Sequence, residues 1–183
     1  MARIAPLRAL TYNRDKIESL SSVTAPPYDV INGDERRRLM ERHPRNIIRL
    51  VLDKPRTGGR EDGEYERAAS LLQQWRQDGV LVQDEKPSIY VCRQTFRVGD
   101  RTISRTGFLA GLFLERLGEG QVFPHEKTMP TPREDRLELM RACRANLSPV
   151  FTIYSDPDGD CAEFVRDVEA REPLHEFERG EDQ

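Results

Sequence analysis

Apolar residues recur at helical spacing in one long segment of the chain, Glu64–Asp78. The members of this stripe are three or four positions apart, and they are Tyr65, Ala68, Leu72 and Trp75. This spacing predicts an amphipathic helix with Trp75 in the core, and Gly79 is placed to end it.

Other segments have the patterns of helices or strands. Helices are predicted from the Asn32-Gly33-Asp34 turn to about Arg42, over about 131–145, and over Asp160–Arg171, the last capped by Asp160. Strands are predicted at Asn46–Leu52 and Ser148–Tyr154, and a strand or an extended arm at Ile4–Leu10. A hairpin is predicted at Ser88–Val98 and Arg101–Leu114, closed by Gly99-Asp100.

This order of elements predicts an α+β fold, a mixed α/β layered domain. We expect a mixed sheet that contains the hairpin and packs against about four helices. The domain is expected to occupy residues 1–172, and residues 173–183 form a charged tail.

The segment Val122–Asn146 combines a polar loop with a charged helix start. Thr131 suits the N-cap, Pro132 the first helical position, and Glu134 completes a capping box. The helix is expected to run to about Ala145, with Asn146 as a left-handed residue at its end.

Charged residues of this helix lie in unusual positions. A 100° step per residue places Asp135 and Arg136 on the apolar side, where charges must be paired or must face a ligand. One interpretation is an anion site built from the helix start with Arg133, Arg136 and Lys127. The other is an internal Asp135–Arg136 pair that holds the preceding loop.

The preceding PHEKT sequence carries an imidazole, a carboxylate, an ammonium and a hydroxyl group. They belong to His125, Glu126, Lys127 and Thr128. His125 could act as a general acid or base, and Glu126 could orient it or bind a metal. A solvated loop explains the same residues.

The VTAPPYDVI sequence presents a second pair of candidates, Tyr28 and Asp29. Tyr28 could stack on a ring or donate a hydrogen bond, and Asp29 could accept one or bind a cation. A structural turn in which Asp29 caps local N–H groups is the alternative.

Composition limits the partners and the compartment. The 183 residues have a formal net charge of −3, which argues against broad nucleic-acid binding. Three cysteines without metal spacing, no signal sequence and no apolar run of membrane length predict a cytoplasmic protein.

Several stretches resemble the N-terminal half of the protein family known as domain of unknown function 1015. They are VTAPPYDVI at Val23–Ile31, HPRNIIRLVL at His43–Leu52, and three longer stretches at Tyr65–Phe96, Arg105–Glu115 and Val122–Asp156. The APPYDVI and PHExT…DRLxLxRAxxAN motifs are the most specific. Members of that family are typically about twice this length and carry a later DGHHR-type segment similar to that of ParB-like free-serine kinases.

The resemblance implies part of a nucleotide-dependent phosphotransferase that uses ATP or ADP with Mg²⁺ on a small hydroxyl metabolite. His125, Glu126 and Asp135 are the catalytic candidates, and Lys127, Thr128, Arg133, Arg136, Tyr28 and Asp29 the binding candidates. Because the DGHHR-type segment is absent, we expect this chain to need a C-terminal partner half for catalysis. The alternatives are a regulatory module that binds a nucleotide or anion, and a structural half-domain; the oligomeric state stays open.

Overall fold

The computed structural model describes residues 2–52, 63–116, 118–124 and 130–178. The chain divides into two compact units. The first comprises Met1–Ala9, Gln83–His125 and Val150–Glu176, and the second comprises Leu10–Val82, Glu126–Pro149 and Phe177–Gln183.

Strands and helices follow one another in groups along the described residues. In chain order they are β1 (Ile4–Ala5), β2 (Leu10–Tyr12), α1 (Leu20–Val23), α2 (Gly33–Arg42), α3 (Ile48–Val51), α4 (Glu64–Gln77), β3 (Leu81–Gln83), β4 (Tyr90–Val98), β5 (Arg101–Leu109), β6 (Gly111–Leu112), α5 (Pro130–Cys143) and α6 (Asp160–Glu169). This content confirms the α+β class.

The strands form small antiparallel pairs. Among the described residues β1 pairs with β6, β2 with β3, and β4 with β5, so they do not join into the single mixed sheet expected from the sequence. The hairpin prediction is confirmed: β4 and β5 run in register from Tyr90 opposite Leu109 to Val98 opposite Arg101. Gly99 makes its turn with a φ of 58°.

The core of the second unit surrounds α4, as its apolar spacing predicted. Trp75 is fully buried, and Gly79 follows the helix with a positive φ of 67°. The buried residues packed with Trp75 come from α1 and the loop before it, from α3 and α4, and from the chain around β3. They are Ile17, Leu20, Val23, Leu50, Leu72, Val80 and Leu81. A second cluster lies beside it and consists of Leu39, Ile48, Val51 and Leu52.

One buried polar side chain, Asn46, joins two segments of this core. Its amide nitrogen donates to the carbonyls of Ser22 and Thr24 at 2.8 and 3.1 Å, and its oxygen accepts from the Ile48 N–H at 3.0 Å. Buried amides are stable only when their hydrogen bonds are made, and these three fix the start of α3 against the end of α1.

The strand predicted at Asn46–Leu52 is wrong, because Ile48–Val51 forms the short helix α3. A short apolar run does not by itself distinguish a buried strand from a buried helical turn. Here the Asn46 side chain caps the Ile48 N–H and favours the helical turn.

The strand predicted at Ser148–Tyr154 is also wrong. This segment has no regular structure, and Val150 and Ile153 are 79% and 85% exposed. Strand propensity reflects packing on a pleated surface more than a backbone preference. Within the described residues this run makes side-chain contacts with β5 but pairs with no strand.

Helices α2 and α6 begin where the sequence predicted, but the residue that caps α6 is a different one. Asn32 accepts from the Glu35 N–H at 2.9 Å and so caps α2 as expected. At α6 the predicted cap, Asp160, is the first helical residue, and Gly159 precedes it. Asp156 accepts the Cys161 and Ala162 N–H groups instead, at 3.3 and 2.9 Å, because the Asp156–Gly159 turn brings its carboxylate over the helix start.

We expect Asn46→Ala to lower the free energy of unfolding by about 3 kcal/mol, since it leaves the Ile48 N–H and two carbonyls without their partner. Urea unfolding followed by the fluorescence of Trp75, the single tryptophan, measures this change. Gln73→Ala, at an exposed position of α4, is the control and should change stability by less than about 0.5 kcal/mol. Equal effects of the two substitutions would contradict the role of Asn46.

Burial raises the pKa of Tyr12 well above its usual range. The folded state therefore holds this proton more tightly than the unfolded state, so the resulting stability is complete below the unfolded pKa of about 10 and declines as the pH rises above it. We expect Tyr12→Phe to be less stable at pH 7, because it loses the hydrogen bond to the Arg45 carbonyl. The free energy of unfolding of Tyr12→Phe should also fall less steeply above about pH 10 than that of the wild type. Parallel curves of this free energy against pH for the two proteins would contradict the prediction.

Candidate functional site

The helix that carries the charged candidates begins earlier than the sequence predicted. α5 starts at Pro130, so Thr131 lies inside the helix instead of preceding it. The predicted capping box with Glu134 involves the Thr131 side chain, which lies outside the part of the chain that the structure describes. The helix ends at Cys143, and the left-handed residue after it is Arg144, with a φ of 48°, rather than Asn146. The cause at the start is Pro130, whose fixed φ suits the first helical position as well as that of Pro132 does.

This start offers few donors to an anion. A helix usually presents its first four N–H groups, but Pro130 and Pro132 have none. Only Thr131 and Arg133 supply amides there, and the Arg133 side chain is exposed. An anion site would therefore depend on side chains more than on the backbone.

Asp135 and Arg136 form the pair that the alternative interpretation predicted. The Arg136 guanidinium donates from Nε to Asp135 Oδ2 at 2.9 Å and also from Nη2 to the same oxygen. Its Nη1 donates to the Val51 carbonyl at the end of α3 at 3.0 Å. The hydroxyl of Tyr65 on α4 donates to Asp135 Oδ1 at 2.9 Å.

Tyr28 lies against the same guanidinium. The Arg136 Cζ atom is 4.3 Å from the centre of the Tyr28 ring, a cation–π distance. Two candidates that are far apart in the sequence thus meet in the second unit. Asp29, next to Tyr28, is exposed.

We call these five groups, Tyr28, the Val51 carbonyl, Tyr65, Asp135 and Arg136, the Arg136 cluster. The Arg136 side chain retains 19% of its exposure and that of Asp135 retains 38%, so the cluster is reachable from solvent. Both Asp135 oxygens accept hydrogen bonds from protein groups. The guanidinium of Arg136 is thus held in a fixed position with little conformational freedom.

The other candidates divide into two groups. His125, Glu126, Lys127 and Thr128 lie outside the described residues. Arg133 and Asp29 are exposed and have no described ion pair. Within the described ranges, no group of three His, Cys, Asp or Glu side chains could hold a metal ion.

Sequence reasoning missed two members of the cluster. Tyr65 was assigned to the apolar stripe of α4. A buried tyrosine hydroxyl usually needs a polar partner, and this need could have indicated the contact with Asp135. The Val51 carbonyl could not be found, because its role depends on α3 being helical.

The fold and this cluster define an α+β protein with a partly buried ion pair near a helix start. A sequence model of the family described as protein of unknown function (DUF1015) matches residues 4–183, and the chain belongs to this family. No curated protein and no solved structure matches the chain. Across the described ranges, no helix is long and apolar enough to cross a membrane.

A double-mutant cycle measures the contact between Tyr28 and Arg136. We expect Tyr28→Leu and Arg136→Met to be non-additive, with a coupling energy of about 0.5–1 kcal/mol in urea unfolding, because each removes the cation–π contact. Tyr28→Phe keeps the ring and should preserve the coupling. Strict additivity in the leucine cycle would show that the contact contributes nothing to stability.

Proposed function

We propose that this chain supplies one face of a phosphotransferase site that uses ATP or ADP and acts on a small hydroxyl metabolite. The observation that carries the proposal is the contact between Tyr28 and Arg136, 4.3 Å from ring centre to Cζ. It brings together two segments whose side chains each suit ligand binding, a ring that can stack and a cation that can bind phosphate. The reaction class is taken from the similarity to ParB-like free-serine kinases that the sequence led us to expect.

Arg136 suits a phosphate-binding role because it is held in place before a ligand arrives. A guanidinium has five N–H groups, and the described contacts use only part of them. A cation fixed by its neighbours stabilises the charge of a transferring phosphoryl group without a reorganisation cost. Its 19% exposure leaves a route for a ligand oxygen.

The Asp135 carboxylate fits a supporting role rather than a catalytic one. Its oxygens already accept from Tyr65 and Arg136, which leaves them poorly placed to bind Mg²⁺ or to take a proton. Mg²⁺ is therefore proposed to arrive on the nucleotide phosphates, and Asp135 to orient Arg136. The sequence made Asp135 a catalytic candidate, and the role proposed here is only to orient Arg136.

The proton-transfer roles fall to the PHEKT residues. In the proposed reaction the metabolite oxygen forms a bond to the terminal phosphorus, and the bond from that phosphorus to the nucleotide oxygen breaks. Glu126 takes the hydroxyl proton with His125 orienting it, and Lys127 and Thr128 contact phosphate oxygens with Arg133. Tyr28 and Asp29 line the same pocket. A C-terminal half of the family architecture completes the site.

The contacts that Arg136 already makes within the protein favour a second candidate function. Tyr28, Asp135 and the Val51 carbonyl together occupy much of the Arg136 guanidinium, as in a purely structural brace. In that case the chain is a structural half-domain, and its polar groups hold the start of α5 against α3 and α4.

Titration calorimetry with ATP and with ADP, with and without Mg²⁺, tests the two candidates. We expect Arg136→Lys to weaken nucleotide binding by about tenfold, because lysine keeps the charge but loses the planar fork of donors. Arg141→Lys is the matched control, since Arg141 lies on the same helix in an exposed pair with Glu138. It should bind the nucleotide as tightly as the wild type does.

Urea unfolding of the same variants separates binding from stability. Loss of stability in Arg136→Lys with unchanged nucleotide affinity would reject the phosphate role and support the structural brace. Absence of nucleotide binding by the wild-type chain would reject binding by this chain alone. A weakened affinity in a variant that remains folded is the result that the proposal requires, whether or not its stability also falls.

A further inference from the structure

The hairpin of the first unit presents one face that the described residues leave open. Directly opposite residues share a face, so the register sorts the side chains of β4 and β5 into two sets. On one face Arg93 and Thr106 contact Glu169 of α6, at 3.8 and 2.7 Å. We call the other set the open face, and its members used here are Gln94, Phe96, Val98, Arg101, Ile103 and Arg105.

The open face combines apolar side chains with cations. Phe96, Val98 and Ile103 are 40%, 54% and 39% exposed. Arg105 donates from Nε to Gln94 Oε1 at 2.7 Å. Its Cζ lies 5.5 Å from the Phe96 ring centre and 5.4 Å from that of Phe151, so two exposed rings hold the guanidinium.

The charge of the hairpin is not balanced locally. Four arginines and one aspartate lie between Tyr90 and Leu109, although the whole chain has a formal charge of −3. Of the carboxylates that the structure describes, none lies within ion-pair distance of Arg97, Arg101 or Arg105, whereas Arg93 is paired with Glu169. These arginines are therefore available to a negatively charged partner.

The edges of the hairpin are also available. Within the described ranges β4 and β5 pair only with each other, so each nine-residue strand has an outer edge whose backbone groups lack a strand partner. Such an edge is a template for an additional strand, and alternate side chains of that strand would reach the open face.

We propose that the hairpin binds an extended, acidic segment of a partner protein. This segment adds a strand along an edge, places apolar side chains on Phe96 and Ile103, and pairs carboxylates with Arg101 and Arg105. The charges argue against hairpin-to-hairpin contact with a second copy, because that would bring arginines together. The open edges and apolar side chains favour an acidic peptide over a nucleic acid, because only a peptide supplies both a backbone strand and apolar side chains.

Fluorescence anisotropy tests this surface without any nucleotide, so the result is independent of the function proposed for the second unit. The probe is a labelled synthetic peptide that alternates Glu and Val, and the control peptide alternates Lys and Val. We expect binding of the acidic peptide only, with an affinity that falls as salt concentration rises.

Arg105→Glu should weaken that binding by about tenfold or more, because it reverses the charge that the rings hold in place. Arg93→Glu, on the opposite face, is the matched control and should have a much smaller effect. Phe151→Ala leaves the strands intact and should weaken binding to a lesser degree. Circular dichroism checks that each variant is folded.

Three results would overturn the proposal. They are equal binding of the two peptides, equal effects of Arg105→Glu and Arg93→Glu, and tighter binding of a single-stranded oligonucleotide than of the acidic peptide. Concentration-dependent self-association in light scattering that Arg105→Glu abolishes would instead assign the surface to a second copy.

Discussion

The buried amide of Asn46 is the interaction on which the Arg136 cluster depends. It joins the carbonyls of Ser22 and Thr24 to the N–H of Ile48, and the Ile47 N–H adds a bond to the Val23 carbonyl at 2.8 Å. The chain that leaves Thr24 soon reaches Tyr28, and the helix that begins at Ile48 ends at Val51. Asn46 thereby fixes the relative positions of the ring and the carbonyl that contact Arg136.

The Asp135–Arg136 pair is stable because its environment supplies more than the two opposite charges. A partly buried ion pair loses hydration, and mutual attraction alone repays this poorly. Here Tyr65 donates to the carboxylate, the Val51 carbonyl accepts from the guanidinium, and Tyr28 covers its face. The same contacts that reduce the cost of burial also fix the direction of the remaining donors, so a stabilising network and a pre-organised binding group are compatible descriptions.

The sequence predicted the elements whose signals are local. The spacing of Ala68, Leu72 and Trp75 gave α4, and the Gly99-Asp100 turn gave the hairpin, because periodicity and turn chemistry act over a few residues. The helical state of Ile48–Val51 depends on a cap and a core built from distant segments, so its β-branched composition was misleading. For the site, the unusual position of Asp135 and Arg136 on the apolar side was visible in the sequence, whereas the hydrogen bonds from Tyr65 to Asp135 and from Arg136 to the Val51 carbonyl depend on tertiary packing.

The two units differ in how much apolar surface they bury. Among the described residues, Val165 is the one buried hydrophobic residue of the first unit, and the others belong to the second unit. A two-stranded hairpin with a partly exposed face is marginally stable by itself, because it buries too little area to offset its ordering entropy. The first unit should therefore open locally at a lower free energy than the core around Trp75 does.

The hairpin surface becomes more ordered when a partner adds a strand, and part of the binding free energy offsets the entropy lost in that ordering. Such an interaction is weaker for its area but easier to reverse, which suits a surface for recognition better than a permanent core.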